Sequence, residues 1–306
     1  MTAYGSILLT GLLICFGLYA FRIAQNKLKW SVFTLSIPFI LILGYLFAKI
    51  LYILCFIDFS MIDEYWFEDN FLVLNPSEFS VFGGAVGVCI GVLLACRCTR
   101  QKASAYLDAF APCGAFLLCA IRIDEIHLER LGAGALLPEG SPLAKYPLAI
   151  QNEYGEWFGA VFLLEAVFAL ICGIIFLAIR LPRLSGLRFE LTAFFLAVPQ
   201  IFCESLRARG MKWGFVRIEQ LFCGLLVFFL VTYACTKTGH IQSFFRRYWP
   251  SIAIVFCIGL IVFVEFALDK FNISDLMCYT LMWVSLLCMS AVELYSVKRR
   301  VQALNQ

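Results

Sequence analysis

Long apolar stretches separated by short polar segments run along the whole chain. A helix needs about 20 consecutive apolar residues to cross the hydrocarbon core of a bilayer. Stretches of that kind lie at residues 4–21, 33–57, 79–96, 105–121, 157–179, 189–206, 214–235, 250–268 and 276–296. The fourth and sixth are the weakest, because prolines and polar residues interrupt them. The pattern predicts an all-α polytopic membrane protein with nine transmembrane helices.

Composition supports this class and argues against others. Hydrophobic residues make up 62% of the 306 positions and charged residues 15%, against roughly half and a quarter in soluble domains. The sequence shows no basic patch interleaved with aromatic residues, so we expect no nucleic-acid partner. Most of the 14 cysteines lie inside apolar stretches, where cysteine acts as a small hydrophobic residue. We therefore expect neither a disulfide framework nor a metal site, and no cofactor.

The polar segments alternate between basic and acidic along the chain. Fifteen of the 24 Lys and Arg residues lie in every second segment, whereas the segments between them include the acidic residues 58–69 and 153–156. Basic segments face the cytoplasm, so the alternation predicts an outer N-terminus and a cytoplasmic C-terminus. The first stretch has no Lys or Arg before Arg22, so we expect it to be retained as a helix and not cleaved as a signal peptide.

Ionisable side chains lie at positions that the predicted helices place in the outer half of the membrane. Such groups are costly in a bilayer and usually face a cavity or a partner. The set comprises Lys49, Arg122, Glu165, Glu204, Arg207, Arg217, Glu219 and Glu265. Arginine suits a phosphate because its planar guanidinium donates two parallel hydrogen bonds. The set indicates either an outward-facing chamber for a phospholipid headgroup or a series of interhelical salt bridges, for instance between Arg217 and Glu204.

Three further observations each leave two interpretations open. Arg207, Arg209 and Lys212 lie on the predicted outer side against the charge rule, so they either anchor to headgroups or bind a phosphate. In the long polar segment 122–157, His127 beside Glu125 or Glu129 could activate a thiol or hydroxyl, although a lone histidine in a loop is more often only solvated. A stripe of small residues indicates close helix packing or close approach to a lipid. The stripe comprises Gly83, Gly84, Gly87 and Gly91.

Short motifs recur in a familiar order along the chain. They lie at residues 4–5, 48–52, 75–78, 82–87, 107–112, 121–125, 163–165, 204–207 and 214–220. Their order and spacing resemble those of the bacterial prolipoprotein diacylglyceryl transferases, which are seven-helix inner-membrane proteins with an outward N-terminus. The resemblance implies a seven-helix core at residues 1–236 and leaves residues 237–306 as a C-terminal extension of two helices.

The resemblance also implies a reaction and its partners. The family transfers a diacylglyceryl group from phosphatidylglycerol to the thiol of a lipobox cysteine in a preprolipoprotein, and releases glycerol phosphate. By position, Arg122 matches the arginine of the GRxGN motif, which is expected to engage the lipid phosphate. Further cations that face the same side are Lys49, Arg207 and Arg217. Other matched positions that line the site are Gly83 and Gly84 of the HGG motif, Glu165 of the LYE motif and Glu204 of the helix-6 motif.

The chain departs from the family pattern at several of these positions. Phe82 stands where the HGG motif has its histidine, Leu164 where the LYE motif has tyrosine, and Gln200 where the helix-6 motif has arginine. Around Arg122, residues 121, 124 and 125 replace two glycines and an asparagine, and at position 49 a lysine replaces an arginine and loses the bidentate fork. Phenylalanine cannot accept a proton.

Two function classes follow from these departures. In the first, the transferase reaction continues and another group acts as the catalytic base, with Glu125, Glu129 and His127 as the candidates. In the second, the chain is a non-catalytic membrane protein that binds a lipid or a partner on the same scaffold. A transporter is a third interpretation, but the sequence shows neither an internal inverted repeat nor a matched pair of broken helices.

Overall fold

The computed structural model describes residues 5–56, 78–127, 132–138, 140–179, 185–208, 212–213, 216–237, 244–271 and 274–304. Within these ranges, nine helices have the length and composition to cross a membrane. They are α1 (Ser6–Gln25), α2 (Trp30–Phe56), α3 (Val81–Cys98), α4 (Ala103–Asp124), α5 (Val161–Ala178), α6 (Leu187–Leu206), α7 (Ile218–Thr236), α8 (Phe244–Lys270) and α9 (Asp275–Leu304). Each overlaps one predicted stretch, so the all-α polytopic architecture is confirmed.

Among the residues described, two short hairpins, which the apolar pattern does not predict, lie between helices. In the first, β1 (Ala149–Gln151) pairs antiparallel with β2 (Trp157–Gly159). In the second, β3 (Lys212–Trp213) pairs antiparallel with β4 (Val216–Arg217), immediately before α7. Strands of two or three residues carry too few side chains to show an alternating pattern in the sequence.

The chain divides into two compact units, Met1–Phe189 and Glu190–Gln306. In the first unit, α3 packs closely on α2 through its glycine stripe. A Cβ atom at Gly83 would lie 2.5 Å from the Phe47 carbonyl oxygen, and one at Gly84 would lie 3.6 Å from the Ala48 Cβ. Gly83, unlike Gly84, therefore has no room for a side chain, as the packing interpretation of the stripe requires.

Helix α4 is the centre of the first unit, where it contacts α1 and α5. Tyr19 of α1 is buried and packs edge-on against Phe110 of α4, with 5.2 Å between ring centroids. Nearer the N-terminal end of α4, Asp108 accepts hydrogen bonds from the backbone N–H of Gly186 (2.7 Å) and of Phe189 (2.8 Å). This carboxylate satisfies N–H groups at the beginning of α6, which the helix itself leaves without partners.

The second unit is built on buried contacts among α6, α7, α8 and α9. Phe202 of α6 packs against Trp283 of α9 with 4.8 Å between ring centroids. Glu190 near the beginning of α6 is buried and accepts two hydrogen bonds from Nη1 of Arg300 in α9, at 2.9 and 2.6 Å. A buried carboxylate needs such a partner, since burial removes its hydration.

Candidate functional site

A buried arginine with two carboxylates lies where α4 meets α5. Arg122, in the last turn of α4, is 2% exposed. Its Nε lies 2.5 Å from Oε2 of Glu165 in α5, and its Nη1 donates to Oε1 of Glu125 in the short 3-10 turn after α4. We call Arg122, Glu125 and Glu165 the Arg122 cluster.

The Arg122 cluster is nearly closed to solvent and holds two carboxyl groups beside one guanidinium. Glu125 and Glu165 are 5% and 4% exposed. With both carboxylates ionised, two negative charges face one positive charge. One proton delivered to either carboxylate leaves the cluster neutral. Charges in such a setting are weakly screened, so the cluster interacts strongly with any proton or ion that reaches it.

Gly132 also lies against this cluster. The Gly132 carbonyl accepts a hydrogen bond of 2.9 Å from the backbone N–H of Phe162, at the beginning of α5. A Cβ atom at Gly132 would lie 2.5 Å from Oε2 of Glu125 and 2.6 Å from the Phe162 Cβ. Glycine is therefore required at position 132 for Glu125 to keep its place beside Arg122.

The residues that depart from the family motif around Arg122 make contacts of their own. Glu125 pairs with Arg122, as described above. Asp124 is 1% exposed, and its Oδ2 accepts a hydrogen bond of 3.0 Å from the backbone N–H of Gly5, just before α1. Gly5 has φ of +96°, a conformation that favours glycine. Asp124 thus holds the end of α4 to the residue before α1, and Glu125 pairs with Arg122.

Lys49, the other predicted cation of the first unit, also has a carboxylate partner. Its side chain is 0% exposed, and its Nζ lies 2.7 Å from Oε2 of Glu78. The ammonium also lies 5.3 Å from the centroid of the Phe79 ring, within cation–π range. Lys49 therefore joins α2 to the segment immediately before α3.

In the second unit, Arg217 closes the end of α6. It lies in β4, and its Nη1 donates to the Arg207 carbonyl (2.8 Å) while its Nη2 donates to the Ser205 carbonyl (3.3 Å). The last carbonyls of a helix have no partners within the helix, and a cation beside them is favourable. The β3–β4 hairpin places Arg217 at this position.

A glutamate of α8 completes the surroundings of Arg217. Oε1 of Glu265 accepts hydrogen bonds from the Ser205 hydroxyl and from Nε2 of Gln220 (3.2 Å), and its Oε2 lies 4.0 Å from Nε of Arg217. Gln220 also donates to the Ile201 carbonyl (3.1 Å) and to the Ser205 hydroxyl oxygen (3.0 Å). We call Ser205, Arg217, Gln220 and Glu265 the Arg217 cluster.

Glu204 lies beside this end of α6 with donors from its own helix. Gln200 donates from Nε2 to Oε1 of Glu204 (2.9 Å), and Nε of Arg207 lies 3.5 Å from the same oxygen. Gln200 stands where the resemblance leads us to expect an arginine. It retains a hydrogen bond to the motif glutamate but not a positive charge.

Each of the four cations predicted to bind a phosphate is thus buried and has a carboxylate within 4.0 Å. The sequence suggested Glu204 as the partner of Arg217, whereas the structure shows Glu265 in that role. A phosphate that bound any one of these cations would have to share it with the carboxylate already beside it.

Two of the candidate bases are not part of the Arg122 cluster as the structure describes it. His127 is exposed at the end of the 3-10 turn. Glu129 lies outside the described residues, as do Arg209, the acidic segment 58–69 and the motif residues 75–77. Among the residues described, no group of three or more His, Cys, Asp or Glu side chains is arranged to hold a metal ion.

Comparison with known proteins gives a match to a family. A family model described as prolipoprotein diacylglyceryl transferase matches residues 1–236. No curated protein and no solved structure matches the chain significantly. The matched residues include the whole Arg122 cluster and end with α7, so Glu265 and Arg300 lie beyond the match.

Proposed function

Because the chain belongs to the prolipoprotein diacylglyceryl transferase family, we propose that it transfers a diacylglyceryl group from phosphatidylglycerol to the thiol of a lipobox cysteine. The preprolipoprotein would be modified at the outer face of a bacterial inner membrane, with the N-terminus of the enzyme outside and its C-terminus in the cytoplasm. The observation that carries this proposal is the buried Arg122 cluster, which supplies a proton acceptor and a cation in direct contact.

The proposed reaction is a substitution at the carbon of the diacylglyceryl group that bears the phosphate ester. The cysteine thiol gives its proton to the carboxylate of Glu125, and the sulfur forms a bond to that carbon. The carbon–oxygen bond to the phosphate breaks, and glycerol phosphate leaves with the electron pair. Glu125 takes the role of base because Phe82 has no basic atom and because Glu125 is the candidate that contacts Arg122.

Arg122 links the proton transfer to departure of the phosphate. While Glu125 is ionised, its carboxylate occupies Nη1 of Arg122. Once Glu125 has accepted the thiol proton, its neutral carboxyl no longer competes for the guanidinium, which then stabilises the negative charge that develops on the phosphate. Glu165 holds Nε of Arg122 at 2.5 Å throughout, so the arginine keeps its orientation.

The other cations have supporting roles in this proposal. Arg207, Arg217 and Lys49 stay proposed phosphate-binding residues, each of which would share its charge with the carboxylate already beside it. Glu204 and Glu165 line the site through the arginines that they hold. His127 and Glu129 remain alternative bases, and the tests below separate them from Glu125.

The test is a mobility-shift assay with purified protein, phosphatidylglycerol vesicles and a lipobox peptide. We expect a shifted peptide band that disappears with Arg122→Ala, with Glu125→Gln, and with a peptide whose cysteine is replaced by serine. Lys102→Ala, which removes an exposed cation just before α4, is the matched control and should leave the shift unchanged. If Arg122→Ala transfers as well as the native protein does, the proposal is wrong.

A second candidate function rests on Phe82 together with the paired cations. Phe82 lies half-buried in the first turn of α3, where the family motif has its histidine, and the four cations predicted to bind a phosphate already have carboxylates beside them. A chain with these features could bind a lipid or a protein partner without turnover. Retention of phosphatidylglycerol by the purified protein with no shifted peptide, beside a working control enzyme, would favour this function.

A further inference from the structure

One of the two helices beyond the family match, α8, directly contacts residues of the family motifs. We propose that Glu265 of α8 is a positioning residue, whose Oε1 holds Ser205 and Gln220 in place and so fixes the end of α6 against the beginning of α7. This inference rests on the proposed function, since the residues that Glu265 holds surround Arg217. It assigns a role to the extension that the family match does not cover.

The contacts of Glu265 are directed at motif residues and not at the lipid-facing surface. Its side chain is 8% exposed. The same oxygen, Oε1, accepts the Ser205 hydroxyl and Nε2 of Gln220, and Ser205 lies within the motif at residues 204–207. Gln220 in turn reaches the Ile201 carbonyl. One carboxylate oxygen therefore joins α6, α7 and α8.

The motif residues would lack an acceptor of this kind if α8 were absent. Without α8, the hydroxyl of Ser205 would retain the Ile201 carbonyl of its own helix (3.3 Å), and Nε2 of Gln220 would retain the Ile201 carbonyl and the Ser205 hydroxyl oxygen. The charged acceptor that joins both donors to a third helix would be lost, and hydrogen bonds to a charged acceptor are the stronger ones. Arg217 depends on the same arrangement, because its two Nη groups bind the Ser205 and Arg207 carbonyls at the end of α6. A shift of this helix end would move Arg217 from its place.

Glu293, a second buried carboxylate beyond the family match, makes no comparable contact among the described residues. Glu293 of α9 is 0% exposed, yet no donor among the described residues reaches either of its oxygens. It belongs to the same pair of helices as Glu265 and is equally enclosed, so Glu293→Gln is the matched control. Comparison of the two positions separates the effect of changing a buried carboxylate from the effect of the Glu265 contacts.

The experiment compares full-length protein with Glu265→Ala, Glu265→Gln and Glu293→Gln. Transfer to a lipobox peptide is measured against phosphatidylglycerol concentration, at a temperature where every variant remains folded. Glu265→Ala should raise KM for phosphatidylglycerol about tenfold or more, since small misplacements of binding groups weaken catalysis strongly. Glu265→Gln retains an acceptor oxygen of the same reach and should restore KM, and Glu293→Gln should match the native protein.

The division between KM and kcat distinguishes positioning from a general loss of stability. Partial unfolding lowers the amount of active protein and hence the apparent kcat, but it leaves KM unchanged. The proposal is overturned if Glu265→Ala lowers only the apparent kcat, if its KM equals that of Glu293→Gln, or if Glu265→Gln loses as much as Glu265→Ala.

A binding measurement keeps this inference separate from the proposed function. If the native protein forms no product, the same four proteins are compared for their Kd for phosphatidylglycerol, measured by native mass spectrometry. Weaker binding by Glu265→Ala with recovery in Glu265→Gln would support the positioning role in a non-catalytic protein. Equal Kd values for all four would overturn it.

Discussion

The Arg122 cluster and the Arg217 cluster both pair a buried arginine with a carboxylate, but the carboxylates come from different parts of the chain. Each holds a buried arginine near the end of a transmembrane helix. The two glutamates beside Arg122 lie within residues 1–236, which match the family, whereas Glu265 beside Arg217 comes from a helix beyond that match. The first cluster is therefore complete in the family core, and the second depends on the extension.

The clusters also differ in how tightly the arginine is bound. Arg122 has a carboxylate on Nε and another on Nη1, and each contact is short. Arg217 uses its Nη groups for carbonyls and has its carboxylate 4.0 Å from Nε. Such a difference is expected if Arg122 stabilises the negative charge that develops on the phosphate during the reaction, and Arg217 binds the phosphate while it holds the end of α6.

Replacement of each arginine by alanine should show this difference most strongly. Arg122→Ala leaves two buried carboxylates without their cation and should lower the free energy of unfolding by ~3–5 kcal/mol as well as abolish transfer. Arg217→Ala leaves two carbonyls and one more distant carboxylate without their donor, which should lower the free energy of unfolding by about 1–3 kcal/mol. Denaturant unfolding in detergent micelles measures both, and equal losses would contradict the distinction.

The catalytic role assigned to the Arg122 cluster is tested at Glu125. Glu125→Gln retains the shape of the side chain but cannot accept a proton, so the rate of transfer should fall by about 10²-fold or more. Glu153→Gln changes an exposed glutamate of the same loop and is the control. A full rate in Glu125→Gln, with loss in Glu129→Gln or His127→Gln, would move the role of base to one of those residues.

Gly132 offers a smaller change at the same cluster. The added Cβ of Gly132→Ala would press on Oε2 of Glu125 and on Phe162, so we expect a loss of about 1–3 kcal/mol in unfolding free energy and slower transfer. Gly159→Ala is the control, because a Cβ there meets only the Gly134 Cα at 4.0 Å. In detergent, the native protein and Gly159→Ala should have the same Tm, and Gly132→Ala should have a lower one.

The smallest effect is expected where the family motif has its histidine. Phe82→His restores an imidazole in the first turn of α3, but the proposed proton acceptor in this chain is Glu125. Its rate should therefore stay close to that of the native protein and not show the ~10²-fold gain that an added general base could supply. A large gain from this single substitution would mean that the chain lacks a working base of its own.

The sequence alone was sufficient for the helices but not for the partners of their charged residues. The nine helices follow from runs of apolar residues, since length and hydropathy are local properties of the chain. Lys49 and Arg122 were recognised as unusual because ionisable groups are rare at membrane depth. Their assigned role in phosphate binding is still a prediction.

Which carboxylate meets which cation depends on helix packing that a single sequence does not reveal. Glu265 lies 48 positions beyond Arg217, and a pair that is distant in sequence and formed between helices leaves no local pattern. The sequence also does not indicate the role of Gly132, because Glu125 and Phe162, which leave no space for a side chain there, come close to it only in the folded structure. Gln220 lay in a recognised motif, but nothing in the motif indicates which groups its amide binds.

The ion pair between Glu190 and Arg300 has a consequence for the time course of biogenesis. Its two residues are 110 positions apart, so ribosomal synthesis exposes α6 to the insertion machinery long before α9 has been made. During that interval, we expect Glu190 to enter or await the membrane without its cation, so that α6 needs assistance until α9 has been made. Folding of the second unit would then be complete only after α9 has been synthesised and inserted.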